Sequence, residues 1–473
     1  MFPAVPDPAL AELGRTEGGA DTLALLVRDQ DTRRLLLLRA VLDAAEAADP
    51  ALCPPAAKAR LREDWALLTE ADRSAGPDAP ARAAAPDSPA RTRLGHPLLG
   101  PWARRCLTGL DPRTGPPTEE QHREVALDLA YFSAVAAVAA ARAGISFAVD
   151  LTARDGILVL PSLGALRTAE GGNARVHVTY GQGRMTLDQV TVFLENDNGA
   201  WSGSLAWTSA YALPGLVPGA APMPLDDLDP YRVPPREPDQ YALSGPADPD
   251  DAERKRWLHS WSGTAAALRT GGEGRLTEAL ALLRCLIPLE MPPGADGRGS
   301  CSGTRREAFG ALLSSAPVTA VAFAATLVHE LQHTKLAALS EMVELHRAGP
   351  AARYFAPWRP DPRPYDGLLQ GAYSHLALAD FFQRRALTVE PARSEGAWVQ
   401  YARYHAQVGA ALPALVASSD LTAVGRRFVD EMAAAHDRLA AHPAPRGHAA
   451  RAQAYVKAVR ALWTQRQPRS ESR

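Results

Sequence analysis

The sequence predicts a mixed α+β protein, mostly helical, on three observations. Long segments repeat apolar residues at the helical period. A middle segment switches to short alternating or β-branched runs, and no internal repeat of about 20–50 residues is present, which excludes solenoids and propellers. With 473 residues, 46% of them hydrophobic, the chain is long enough to bury the cores of two or three packed units. Three regions are expected: a helical 1–145 with a Pro/Ala-rich linker near 73–95, a strand-rich 146–220, and a mainly helical 221–473.

Residues 20–48 read as helix because Leu23, Leu26, Val27, Leu35, Leu38 and Leu42 fall near a 3.6-residue period with few breakers. The stretch 73–95, rich in Pro, Ala and Ser, breaks that pattern and reads as a linker or long loop. Helical periodicity returns from Glu119 to Ala143 after a connector ending at Gly115-Pro116-Pro117. From Ser146 to Leu213 the runs GILVL, ARVHVTY, QVTVFL and WSGSLAWTSAYAL alternate with Gly, Asn and Asp, the pattern of short strands. A Pro/Asp-rich passage, Pro214–Asp250, leads to helices near 250–271 and 275–286. One further strand is expected at Phe309–Leu313, with a Pro-rich loop between Gly349 and Tyr365 and helix over most of the remainder.

Charge and cysteine content narrow the function classes. The formal net charge of -2 argues against a nucleic-acid binder, which needs a cationic excess to displace counterions from phosphates. Four of the 51 basic residues are lysines, and the arginine excess matches the codon composition of a GC-rich genome. Cys53, Cys106, Cys285 and Cys301 form no CxxC pair, which excludes a zinc ribbon, an iron–sulfur motif and a dense disulfide framework. The amino terminus MFPAVPDPAL lacks a secretory pattern. The uncharged apolar runs Leu129–Ala141 and Ala316–Val328 are shorter than the roughly 18 residues a bilayer requires. The expectation is a cytoplasmic protein with no nucleic-acid or membrane partner.

The strong motif is His329-Glu330-Leu331-Gln332-His333, in an apolar helical stretch with Pro317 suited to its first turn and Gly349-Pro350 placed to stop it. Four residues turn a helix by about 400°, so the two imidazoles lie one turn apart on one face and can reach one metal ion. Glu330 sits about 100° round, close enough to touch a metal-bound water. A third ligand must come from elsewhere. Glu341 is about 12 Å along the axis from His333 and His346 is farther. His375 is on the next helical stretch, DGLLQGAYSHLALADFF, with Asp366 as the expected N-cap and Gly371 and Ala372 leaving a hollow beside the ring for another helix. The loop between the two helices has four prolines between Pro357 and Pro364. It either presents Arg359 and Arg363 as planar forks to a carboxylate or is a stiff turn whose arginines pair with acids such as Asp361.

The combination of LVHELQHTKLAAL, APWRPDPRP and GLLQGAYSHLALADFF, preceded by SCSGTRREAFGALLSS, resembles the bacterial HExxH peptide-modification proteins found beside ribosomally made peptide precursors. The specific match covers about residues 300–385, and a looser one runs over the helix around Asp21–Asp43. The resemblance implies a zincin-like HExxH metal helix packed against a second helix, and a 2-oxoglutarate-dependent, iron-containing peptide β-hydroxylase. It implies His329 and His333 as metal ligands with His375 as the third, Glu330 ordering the metal site, and Arg363 with Arg359 holding the carboxylates of 2-oxoglutarate. The implied partner is a ribosomally made precursor peptide. With Fe(II) as the bound metal, 2-oxoglutarate and O2 would be consumed to give succinate, carbon dioxide and a β-hydroxylated side chain. An oxygenase of this kind ordinarily uses two histidines and a carboxylate, so Glu330 or Glu341 stays open as a ligand.

Two other readings stand beside it. A zinc metallopeptidase would hold Zn(II) on His329 and His333 and use Glu330 as general base, although Thr334–Leu339 lacks the glycine and third histidine of the extended HExxHxxGxxH motif. A non-enzymatic precursor-binding scaffold would leave the intact motif unexplained. The strand at Phe309–Ser314 is either a core strand or an edge able to pair with an extended peptide. Trp201, Trp207 and Tyr211 are either core or the wall of a peptide groove.

Overall fold

The computed structural model describes residues 5–73, 88–111, 118–169, 171–195, 199–232, 243–292 and 301–466. In its amino-terminal part the elements are α1 (Asp7–Gly14), α2 (Ala20–Ala47), α3 (Pro55–Arg73), α4 (Pro89–Leu94), α5 (Leu99–Leu110) and α6 (Glu119–Arg142). Strands follow: β1 (Phe147–Thr152), β2 (Ile157–Leu160), β3 (Gly164–Arg167), β4 (Arg175–Gly181), β5 (Arg184–Leu187), β6 (Val190–Leu194), β7 (Ala200–Trp201), β8 (Trp207–Ser209), β9 (Tyr211–Leu213) and β10 (Met223–Leu225). Then come α7 (Asp251–Ser262), α8 (Thr264–Leu268), α9 (Gly274–Leu282), β11 (Cys285–Pro288), β12 (Ser302–Gly303) and β13 (Ala311–Ser314). The last described elements are α10 (Ala320–Met342), α11 (Tyr365–Thr388), α12 (Pro391–Val416), α13 (Ala423–Leu439) and α14 (Arg446–Arg466). The α+β class and the strand-rich middle are as the sequence predicts.

Two compact units form, each from separated segments: residues 1–29, 259–283 and 317–473 make one, and 30–258 with 284–316 the other. The second unit contains the sheets. β1, β4, β5, β6 and β7 pair in that order and antiparallel, with Val149 opposite Val178 and Thr179 opposite Thr186. Alternation along β4 buries Val176 and Val178, which join Leu151, Met185, Leu187 and Val192 in one apolar cluster. Helix α6 is long and apolar enough to cross a membrane, but 83% of its apolar window is buried inside the protein, where it packs on α3, α4, α5 and the β1–β2 region. Its start is a full capping box between Thr118 and Gln121.

Part of the expected 73–95 linker is helical. Residues 74–87 lie outside the described residues, but Ser88 caps α4 by accepting the Arg91 N–H, and Pro89 takes the first helical position. The expected strand near Phe309 is β13, and it is not an edge. It lies between β12 and β11, parallel to β11, with Leu286 opposite Leu312, and all four of its residues are buried. At Leu313 and Ser314 both sides of the strand are therefore taken, which leaves no edge there for an extended peptide. Of the three aromatic residues, Trp207 is buried with its indole N–H donated to the Ala200 carbonyl, whereas Trp201 is 56% exposed and stacks on Phe193. Tyr211 lies under the Arg254 guanidinium.

The first unit is helical. α11 packs against α10, α12 and α13, and α12 also against α14. The core between them is built from Phe323, Leu327, Tyr365, Leu368, Tyr373, Leu376, Tyr401, Val408 and Phe428. Four helix starts in the unit illustrate two routes. Thr319 and Thr422 cap α10 and α13 with their hydroxyls, whereas α11 begins after Pro364 and α12 carries Pro391 at its first position, neither with a side-chain cap.

Candidate functional site

Helix α10 carries the HExxH residues. Its start is Thr319, whose Oγ1 accepts the Ala322 N–H at 3.1 Å, so Pro317 lies upstream of the helix instead of in its first turn. It ends at Met342, where Val343 turns to extended backbone, well before Gly349-Pro350. The buried residues Phe323, Leu327, Val328, Leu331 and Leu336 fix the helix against the core, which leaves His329 and His333 half-buried on the side facing α11.

The two imidazoles meet edge to face, with ring centroids 4.8 Å apart and Nε2 atoms 3.2 Å apart. Behind His333, its Nδ1 lies 3.1 Å from Oε1 of Gln370 on α11. Glu330 is 2% exposed, with Oε1 4.0 Å from His329 Nε2. His375, also on α11, places its ring centroid 5.7 Å from that of His329. Trp358 and Tyr404 press edge-on against His375 at 4.7 and 5.0 Å, and its Nδ1 is buried without a hydrogen-bond partner. Burial, with His333 and His375 close by, holds the His329 pKa well below the ordinary value, although 27% of the side chain still meets solvent. Burial, and then Arg403 and His333, push His375 down to about 3. Both imidazoles are neutral at pH 7 and present lone pairs.

These distances bear on whether one ion fits. Two imidazole nitrogens at about 2.0–2.1 Å from a common ion, in tetrahedral or octahedral arrangement, stand roughly 2.9–3.4 Å apart, so the 3.2 Å between His329 and His333 fits. Rings sharing an ion have centroids about 4.5–5.3 Å apart, and His375 stands slightly beyond that range from His329. Accordingly, no group of three His, Cys, Asp or Glu side chains stands in metal-holding geometry among the described residues. The motif pair fits an ion, with His375 beside it and not yet closed on it.

Neither a protein-family model nor a curated protein matches this chain.

Other expected participants fall differently. Glu341 is two turns beyond His333 near the end of α10. His346 has left the helix, pairs in a β-bridge with Leu421 and stacks edge-on against Tyr365. Asp366 is inside the first turn of α11 and does not cap it, because Pro364 occupies the capping position. The hollow beside His375 is filled by the Pro-rich loop and not by a helix: a Cβ on Gly371 would meet Trp358 Cζ2 at 2.2 Å. That loop is closed on itself by a bridge between Tyr354 and Arg363. Arg359 Nε donates to Asp361 Oδ1 at 2.6 Å, the local pairing that the sequence left open. Burial raises the Asp361 pKa, but the hydrogen bond from Arg359 and the charges of Arg359 and Arg363 bring it below the usual value. Arg363 lays its guanidinium over Gly367, where a Cβ would meet Nε at 3.1 Å.

Sequence reasoning missed Gln370, Trp358 and Tyr404. Gln370 had a legible signal, since it shares a helix with His375 and is the one amide in GLLQGAYSH. Tyr404 comes from α12, and nothing in its local sequence connects it with His375.

Proposed function

We propose that this chain is an Fe(II)- and 2-oxoglutarate-dependent enzyme of the cytoplasm that β-hydroxylates a side chain in a ribosomally made precursor peptide. The observation that carries the reading is the 3.2 Å approach of the His329 and His333 Nε2 atoms on α10, whose sequence carries part of the family resemblance. His329 and His333 would hold the ion, with His375 brought in by a small movement of α11 or its ring, on the zincin-like HExxH helix that the resemblance implies. When bound, the ion with its co-substrate supplies the oxidising chemistry: O2 is split, one oxygen enters succinate as carbon dioxide leaves 2-oxoglutarate, and the other enters a C–H bond.

The protein's own work is to orient and exclude. Glu330, buried beside His329, sets its carboxyl next to the ligand pair, where its oxygens would face a bound cation or the water on it. Arg363 offers a fork to a carboxylate of 2-oxoglutarate, while Arg359 must first release Asp361. Trp358 and Tyr404 keep water from the His375 flank.

The test is to incubate the purified protein with a peptide encoded next to its gene, adding Fe(II) and 2-oxoglutarate or Zn(II), and to follow the peptide mass. A gain of one oxygen atom that depends on 2-oxoglutarate supports the proposal. Cleavage fragments with Zn(II) replace it with the peptidase reading, in which Glu330 acts as base. Peptide retained but unchanged under both conditions favours a scaffold.

A further inference from the structure

The contact behind His333 decides where the protons of this site sit. His333 Nδ1 is 3.1 Å from Gln370 Oε1, and an amide oxygen only accepts. In its neutral form, with a single N–H, His333 therefore carries that proton on Nδ1, which leaves the Nε2 lone pair open. The 3.2 Å contact between the two Nε2 atoms then has one direction: His329 donates and His333 accepts. The protons point along a line from His329 through His333 to Gln370.

We propose that Gln370 is a positioning residue that locks His333 in the Nδ1–H tautomer, so that its Nε2 is preset to ligate a divalent transition-metal ion. The ion part rests on the reading above; the tautomer part does not. The other two imidazoles lack this arrangement. His375 has a buried Nδ1 with no acceptor, and His329 must move its proton from Nε2 to Nδ1 before it can ligate. His333 is thus the imidazole committed first. Gln370 reaches it because α11 packs along α10, and five residues on, about 140° round the same helix, α11 presents His375. A carboxylate or amide behind a ligating histidine fixes ring orientation and raises ligand basicity, and its loss commonly costs 10–100-fold in metal affinity.

The experiment uses the full chain labelled with 15N-histidine, with His333 assigned from its absence in His333→Ala. In metal-free protein, long-range 1H–15N spectra should show His333 as Nδ1–H. Gln370→Leu should shift it toward Nε2–H or a mixture, and Gln370→Glu should keep Nδ1–H. Titration with Co(II) against a competing chelator should give about 10–100-fold weaker binding for Gln370→Leu and parental or tighter binding for Gln370→Glu, at matching thermal midpoints. An unchanged His333 tautomer in Gln370→Leu overturns the proposal, as does equal weakening in the Leu and Glu variants. If Gln370→Leu does not fold, Gln370→Met makes the same comparison. A parent protein that binds no Co(II) removes the metal reading, while the tautomer spectra still decide what Gln370 does.

Discussion

The two polar faces of α10 are built on opposite plans. On one, Gln332 and Lys335 are fully buried, yet Lys335 uses all three ammonium donors: Thr16 O at 3.0 Å, Glu17 O at 3.2 Å and Glu278 Oε1 at 2.8 Å. Arg275 adds bonds to Glu278, Thr16 and Asp380, and Gln332 donates to Glu278. Thr16 can serve as acceptor because its left-handed backbone, φ 61°, belongs to the turn after α1. A cavity of about 370 Å3 beside this network is lined by Glu12, Arg15, Gly272, Arg275 and Glu278 among others, and by none of the three histidines. On the other face, His329 points at His333 and His333 at Gln370, and His375 keeps a buried nitrogen without a partner. A network of charges, closed except for the buried Gln332 Oε1, holds the helix in place. A cluster of imidazoles with unspent lone pairs contributes little to folding and retains the capacity to bind.

Breaking the closed face should have the largest effect. Glu278→Gln leaves Lys335 and Arg275 buried with their shared acid gone and should cost about 3–5 kcal/mol in urea unfolding. The same residue sets an acid limit. Burial raises its pKa, but Lys335 and Arg275 more than compensate and hold it below the ordinary 4.5. Its stabilisation is thus complete above pH 4.5 and is lost as the pH falls through the lower folded value, a limb that Glu278→Gln should flatten. Removing the open face should do the reverse. His333→Ala is expected to change unfolding by less than about 1 kcal/mol while abolishing metal loading measured by elemental analysis. His375→Ala should also abolish loading and Glu341→Ala should not; retained stoichiometric metal in His375→Ala removes it as third ligand.

Smaller effects sharpen the boundary of the open face. Gly371→Ala forces a methyl into the Trp358 ring and should cost about 1–3 kcal/mol, with displacement of the Pro-rich loop visible as a shift in tryptophan fluorescence. Arg363→Ala should raise the 2-oxoglutarate concentration required for turnover about tenfold, in line with loss of one charge-assisted pair. Arg359→Ala should raise it less, since Arg359 is already bound to Asp361. Equal responses would mean that the local ion pair does not discriminate between them.

Much of this was legible where the chemistry is local. The helix at 20–48 is α2, Ala20–Ala47, and the strand runs around Ile157, Val176 and Val192 are β2, β4 and β6, because period and branching act within a few residues. HExxH spacing alone brings His329 and His333 to one face. Lys335 was a missed signal: it is one of four lysines in the chain and lies in an apolar helix, which asks for a buried acid. The identity of that acid, Glu278, lies 57 residues away and has no local mark.

The sequence by itself determined the α+β class, the long helices and the pairing of two imidazoles one turn apart, since helical geometry carries these without help from the rest of the chain. Only the tertiary structure decided that Gln370 stands behind His333, that Trp358 and not a helix fills the space at Gly371, that Arg359 is tied to Asp361, and that β13 is interior. Each of these depends on which segments meet in space. That is set by the burial of whole helix faces and the completion of strand ladders, and not by the spacing of residues along any one of them.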